Sequence, residues 1–264
     1  EEVGVYSFAL MLISIRQFPF SKAISIVVSR EMNLTAGEKG ENNFKEFYHF
    51  FQKNMVIYLL FVTLVMGIVL FTFTTVIEIY LPKYLKAIPL MQVFFGLVVI
   101  HSARVYSDYF FNATNQMFIK INHTLVAILI SLSLGFLALY LNLGAFGIAL
   151  AMITSIIVTG LPQIYIAICQ VSQNRKSAKS LLFKLLGIAI FLQLTIFFFN
   201  DNTLWYNIIF SEQNLIKTIL KLLTSILGYC ISCFALFELF FPKFKISISV
   251  IEFVKGMIIK KKKD

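Results

Sequence analysis

Apolar residues in this chain run in long unbroken stretches rather than alternating with polar ones. A window of about nineteen residues separates seven such stretches, at residues 4–28, 54–80, 88–111, 121–141, 144–168, 184–200 and 215–241. A transmembrane strand would alternate polar and apolar over about ten residues, so a barrel is not expected. A helix needs about twenty apolar residues to cross a hydrocarbon layer of about 30 Å, and these stretches are of that order. Lipid offers no hydrogen bonds, so each segment has to satisfy its own backbone, which a helix does. The pattern predicts an all-α, polytopic helical membrane protein with about seven transmembrane helices.

Basic residues orient the bundle, because Lys and Arg are retained on the cytoplasmic side. The segments 29–53, 112–120 and 169–184 and the tail 242–264 together hold sixteen of the 23 Lys and Arg residues. The opposite side holds four: Lys83, Lys86, Lys217 and Lys221. The remaining three, Arg16, Lys22 and Arg104, fall inside the predicted spans. This places the tail in the cytoplasm and Glu1 outside.

Composition supports the same class. Hydrophobic residues make up 59% and charged residues 14%, against about 45–50% and 25% in a soluble domain, and mean hydropathy is +0.84. With 29 Phe residues, the apolar surface exceeds what one aqueous core would hold. The net charge of +10 follows from the asymmetry of the loops, so no nucleic-acid partner is expected. The chain begins Glu1-Glu2, with no basic region and cleavage site that would mark a signal peptide, and reads as the C-terminal piece of a longer protein.

Two amphipathic stretches flank the spans. Val250, Ile251, Val254, Met257 and Ile258 recur at helical spacing ahead of Lys260, Lys261, Lys262 and Lys263. This predicts an interfacial helix with a polybasic end facing anionic membrane lipids. Phe44, Phe47, Tyr48 and Phe51 repeat the pattern and are expected to lie along the interface.

No catalytic constellation is visible, and the chain is not expected to be an enzyme. His49, His101 and His123 are scattered, and there is no H-E-x-x-H, G-x-S-x-G or P-loop. Cys230 and Cys233 form a C-x-x-C inside an apolar run. With no further ligands nearby, they and Cys169 read as small helix residues rather than metal ligands.

Ionisable residues at membrane depth carry the remaining signal, because they are costly there and usually face a cavity. Arg16 lies near the middle of the first stretch, with Pro19 three residues on, and a proline removes a donor and bends the helix. Lys22 lies closer to the cytoplasmic end. In the third stretch His101, Arg104 and Asp108 stand at offsets that share one helix face. Arg104 and Asp108, four apart, can pair with each other, as a structural ion pair or as part of a charged stripe along a wet pathway. Arg16, Lys22 and Arg104 against Asp108 make the available charge mainly cationic. A cationic cavity favours an anion such as a diphosphate, to which arginine offers a rigid fork.

Several short motifs now fall into order. Glu2-Val3-Gly4-Val5-Tyr6-Ser7 resembles the E-x-G-x-Y-S start of a helix in the polysaccharide flippases of the multidrug/oligosaccharidyl-lipid/polysaccharide export superfamily. Ala36-Gly37-Glu38-Lys39 resembles the cytoplasmic loop of that family. Pro82-Lys83-Tyr84-Leu85-Lys86-Ala87 resembles its P-x-Y-x-x-A turn, and Asn142-Leu143-Gly144-Ala145-Phe146-Gly147-Ile148-Ala149 its G-x-x-G-x-A helix start. The resemblance covers about residues 1–200.

The resemblance implies two helical bundles around a central cavity. Residues 1–170 would give five helices of the C-terminal bundle, 171–241 two additional helices, and 242–264 the cytoplasmic tail. It further implies that an undecaprenyl-diphosphate-linked oligosaccharide is moved across the bacterial cytoplasmic (inner) membrane for surface polysaccharide such as O-antigen or capsule. Alternating access would be driven by an H+ or Na+ gradient with no other cofactor. Other polysaccharide assembly proteins would be partners. Arg16, Lys22, His101, Arg104 and Asp108 are the candidate substrate-binding residues. The competing readings are a drug/cation antiporter of the same superfamily, which calls for acidic cavity residues, and a membrane-bound polysaccharide polymerase or acyltransferase, which calls for a long outer loop or a catalytic His.

Overall fold

The computed structural model describes residues 44–200 and 215–244, and these residues are helical, with no strand among them. In chain order they form α1 (Phe44–Tyr80), a 3-10 turn (Pro82–Tyr84), α2 (Ala87–Gly96), α3 (Val98–Ala113), α4 (Met117–Tyr140), α5 (Gly144–Ser172), α6 (Arg175–Asn200), α7 (Leu215–Phe240) and a last 3-10 turn (Pro242–Phe244). Helices α1, α4, α5, α6 and α7 are each long and apolar enough to cross a membrane. Together α2 and α3 make a sixth candidate span, bent by 48° between them. The described chain is thus a multi-pass helical membrane protein, as the hydropathy pattern predicts. The first predicted span (4–28), with Arg16 and Lys22, lies outside the described residues, as do 201–214 and the tail from 245.

Two features depart from the sequence expectation. The stretch from Phe44 to Phe51 is not a separate helix along the interface, because it is the first part of the 37-residue α1. Phe51 is fully buried there, its ring edge-on to Tyr106 and Phe110 of α3. The third span is broken rather than continuous, at Gly96 and Leu97. Glycine weakens a helix interior, and the interruption leaves the next helix free to leave at a new angle.

Helix ends follow local chemistry. Proline at position 82 stops α1 and opens the 3-10 turn. Asn115, Asn142 and Gln173 adopt left-handed backbone at φ 56, 53 and 51°, which closes α3, α4 and α5. Within the spans, Thr63, Thr72 and Thr75 donate their hydroxyls to the carbonyls of Leu59, Ile68 and Phe71, so these polar groups meet no lipid unpaired.

Helices α1 and α3 form the centre of the bundle, with Met55, Leu59, Tyr106 and Phe111 fully enclosed between neighbours. Against α1 lies α7, whose Tyr229 hydroxyl donates to the Thr63 carbonyl at 3.1 Å. The approach is close at Gly67: a Cβ there would sit 2.0 Å from the Tyr229 ring. Helix α6 packs on α5 and on α7, so the two helices assigned to 171–241 belong to the same body as the others. Helix α4 is peripheral, packing mainly on α5, and Ala138 is its one buried residue.

A polar chain inside the bundle

Arg104 and Asp108 lie one turn apart on α3, both half-buried. They do not pair directly, because the side-chain amide of Gln163, fully buried on α5, stands between them. Arg104 Nε donates to Gln163 Oε1 at 3.0 Å, and Gln163 Nε2 donates to Asp108 Oδ1. The amide is fixed in orientation: its oxygen faces the cation and its nitrogen the carboxylate. One Nη of Arg104 also reaches Thr124 Oγ1 of α4 at 3.5 Å. Lys120, also on α4, joins Arg104 as a positive neighbour of Asp108.

Helix α5 presents Gln163 because of its own sequence. Ala151, Ser155, Thr159, Gln163 and Ala167 recur every fourth residue and are all buried; the small members of this stripe let neighbouring backbones come close. Ser155 Oγ donates across to the Ala127 carbonyl of α4 at 2.6 Å. Gly160 lies against Arg104, whose Cδ would be 3.6 Å from a Cβ placed there. Pro162, inside the helix, has no N–H to give the carbonyl one turn back and loosens α5 beside Gln163.

The sequence expectation is corrected in detail. The face carrying His101, Arg104 and Asp108 exists, but the predicted Arg104–Asp108 pair is an amide-bridged triplet. His101 is half-buried one turn from Arg104 on the same face. Arg16 and Lys22 lie outside the described residues. Sequence reasoning missed Gln163, Thr124 and Lys120. The signal for Gln163 was present: an amide next to a proline in the middle of an apolar run.

The arrangement holds two opposite charges on one buried amide. Among the described residues no group of His, Cys, Asp and Glu could hold a metal ion, and Cys169, Cys230 and Cys233 are free thiols. Hydrogen bonds to a charged partner each contribute about 1.5–3 kcal/mol. The amide therefore ties α3 to α5 while the charged ends stay half-exposed. No family model matches the chain, and no curated protein or solved structure matches it either.

Proposed function

We propose that this chain is part of a flippase that moves a lipid-linked, diphosphate-bearing oligosaccharide across the bacterial cytoplasmic membrane, with its C-terminus in the cytoplasm. The observation that carries the reading is the Arg104–Gln163–Asp108 triplet. Charged groups at membrane depth are costly and mark pathways when they are kept, and these are kept half-exposed on a buried amide. The broken α2–α3 pair supports the same reading, since interrupted helices line substrate paths in transporters. Arg104 and Lys120 leave the local charge cationic, which suits a phosphate-bearing passenger better than a cationic drug. The motifs that resemble those of polysaccharide flippases point the same way, and Arg16 and Lys22 would extend the cationic lining.

The test uses the full-length protein in its own cells. Depletion should trap lipid-linked oligosaccharide in the inner leaflet and reduce surface polysaccharide. Arg104→Ala should reproduce that defect at near-normal abundance in the membrane. Unchanged surface polysaccharide after depletion would overturn the proposal, and altered drug susceptibility in its place would favour the antiporter.

A further inference from the structure

A second polar site lies at one end of the bundle, away from the triplet. The first turns of α1, the first turns of α6 and the end of α7 converge there around an open cleft of about 1090 Å³. Its polar lining includes Lys53, Lys176, Lys184, Ser177, Ser180 and His49. The apolar floor is Phe50, Leu181, Phe241 and Phe244, of which all but Phe50 are buried.

We propose that this cleft binds the phosphate headgroup of an anionic membrane lipid. Three observations combine. First, three lysines line one cleft, and their like charges favour an anion between them. Second, Ser177 and Ser180 offer hydroxyls on the first turns of α6, where the helix dipole adds positive potential. Asn174 already caps that helix by accepting the Lys176 N–H at 2.9 Å, and both serines line the cleft. Third, the floor is aromatic and aliphatic. Lys184 lies over the Phe241 ring at 5.2 Å, and His49 packs its ring on Phe244 at 5.3 Å.

A soluble phosphate would gain nothing from that floor, whereas a lipid places its glycerol and first methylenes on it while the phosphate meets the lysines. Position agrees with this. Helix α1 is 37 residues long, or about 55 Å, against a hydrocarbon layer of about 30 Å. Its first turns therefore extend towards headgroup depth, at the end where the basic loops cluster. The site does not depend on the transport reading.

Direct titration of the purified full chain in neutral detergent with a fluorescent short-chain phosphatidic acid tests the proposal. The intact protein should bind it saturably, and phosphatidylcholine should not displace it. Each lysine near an anionic lipid corresponds to about a five-fold change in affinity. Lys53→Gln, Lys176→Gln and Lys184→Gln together should thus weaken binding by about a hundred-fold. Lys83→Gln with Lys86→Gln, which does not touch the cleft, should leave binding unchanged. Ser177→Ala with Ser180→Ala, which keeps every charge, should weaken it several-fold. An unchanged melting temperature of the triple variant would show that it remains folded. Equal affinity in the triple variant would overturn the proposal, as would equal loss in the Lys83/Lys86 variant. So would inorganic phosphate binding as tightly as the lipid, which would make the ligand a soluble anion.

Discussion

Replacing Gln163 by Leu removes the acceptor for Arg104 Nε and the donor to Asp108 in one step. The two charges, a turn apart, can then partly satisfy each other, so the expected loss is about 2 kcal/mol rather than the sum of two charged hydrogen bonds. Thermal unfolding in detergent measures it, and Asp108→Asn combined with Gln163→Leu should cost less than the two changes added, because both act on one network. Gly67 makes a second residue-scale prediction. A Cβ 2.0 Å from the Tyr229 ring forces the ring out of its slot and breaks its bond to the Thr63 carbonyl. Gly67→Ala should therefore destabilise by about 1–3 kcal/mol, and should cost much less when it is made in a Tyr229→Leu background. At this scale the sequence was legible where cost is extreme. Arg104 and Asp108 stand out because a charge in lipid is expensive, whereas Gln163 is uncharged and its importance depends on which helix lies beside it. Gly67 gives no local signal, since the residue that needs its space is 162 positions away.

Hydropathy locates the part of each helix that lies in hydrocarbon, and helix ends lie beyond it. The pattern begins the second span at residue 54, yet α1 begins at Phe44, and the pattern begins the sixth at 184, yet α6 begins at Arg175. A helix passing into water needs no apolar side chains to keep its backbone bonds, so periodicity cannot mark where it stops. The break between α2 and α3 was hidden for the converse reason, because residues on both sides of it are apolar. Cysteine labelling tests the protrusion of α1. In a background lacking Cys169, Cys230 and Cys233, His49→Cys and Gln52→Cys should react with a membrane-impermeant thiol reagent in inside-out vesicles, while Leu64→Cys should not. Protection of His49→Cys and Gln52→Cys would place the start of α1 within the bilayer.

Over the whole molecule, orientation is a prediction of the charge asymmetry. From outside intact cells, Asn202→Cys should be labelled and Lys262→Cys should not; the reverse result would invert the bundle. The class of the molecule and its candidate spans were legible because membrane insertion is governed by summed hydrophobicity, a local property. Neighbour relations were not. Nothing along the chain says that α7 docks on α1, a choice made by a tyrosine on one and a glycine on the other. Nor does the sequence indicate that Lys53, Lys176 and Lys184 share one cleft, because the three count equally as positive-inside residues wherever they stand.

Helix α4, with one buried residue among 24, is specified differently from its neighbours. A side chain that fits into a slot is constrained in shape, while one that meets acyl chains or another broad apolar surface is constrained only in kind. Over generations the outward face of α4 should therefore drift freely among Leu, Ile, Val and Phe, while the Ser155–Gln163 stripe of α5 stays still. Two helices adjacent in space would then carry different amounts of information, and a comparison of distant copies of this chain would lose α4 first.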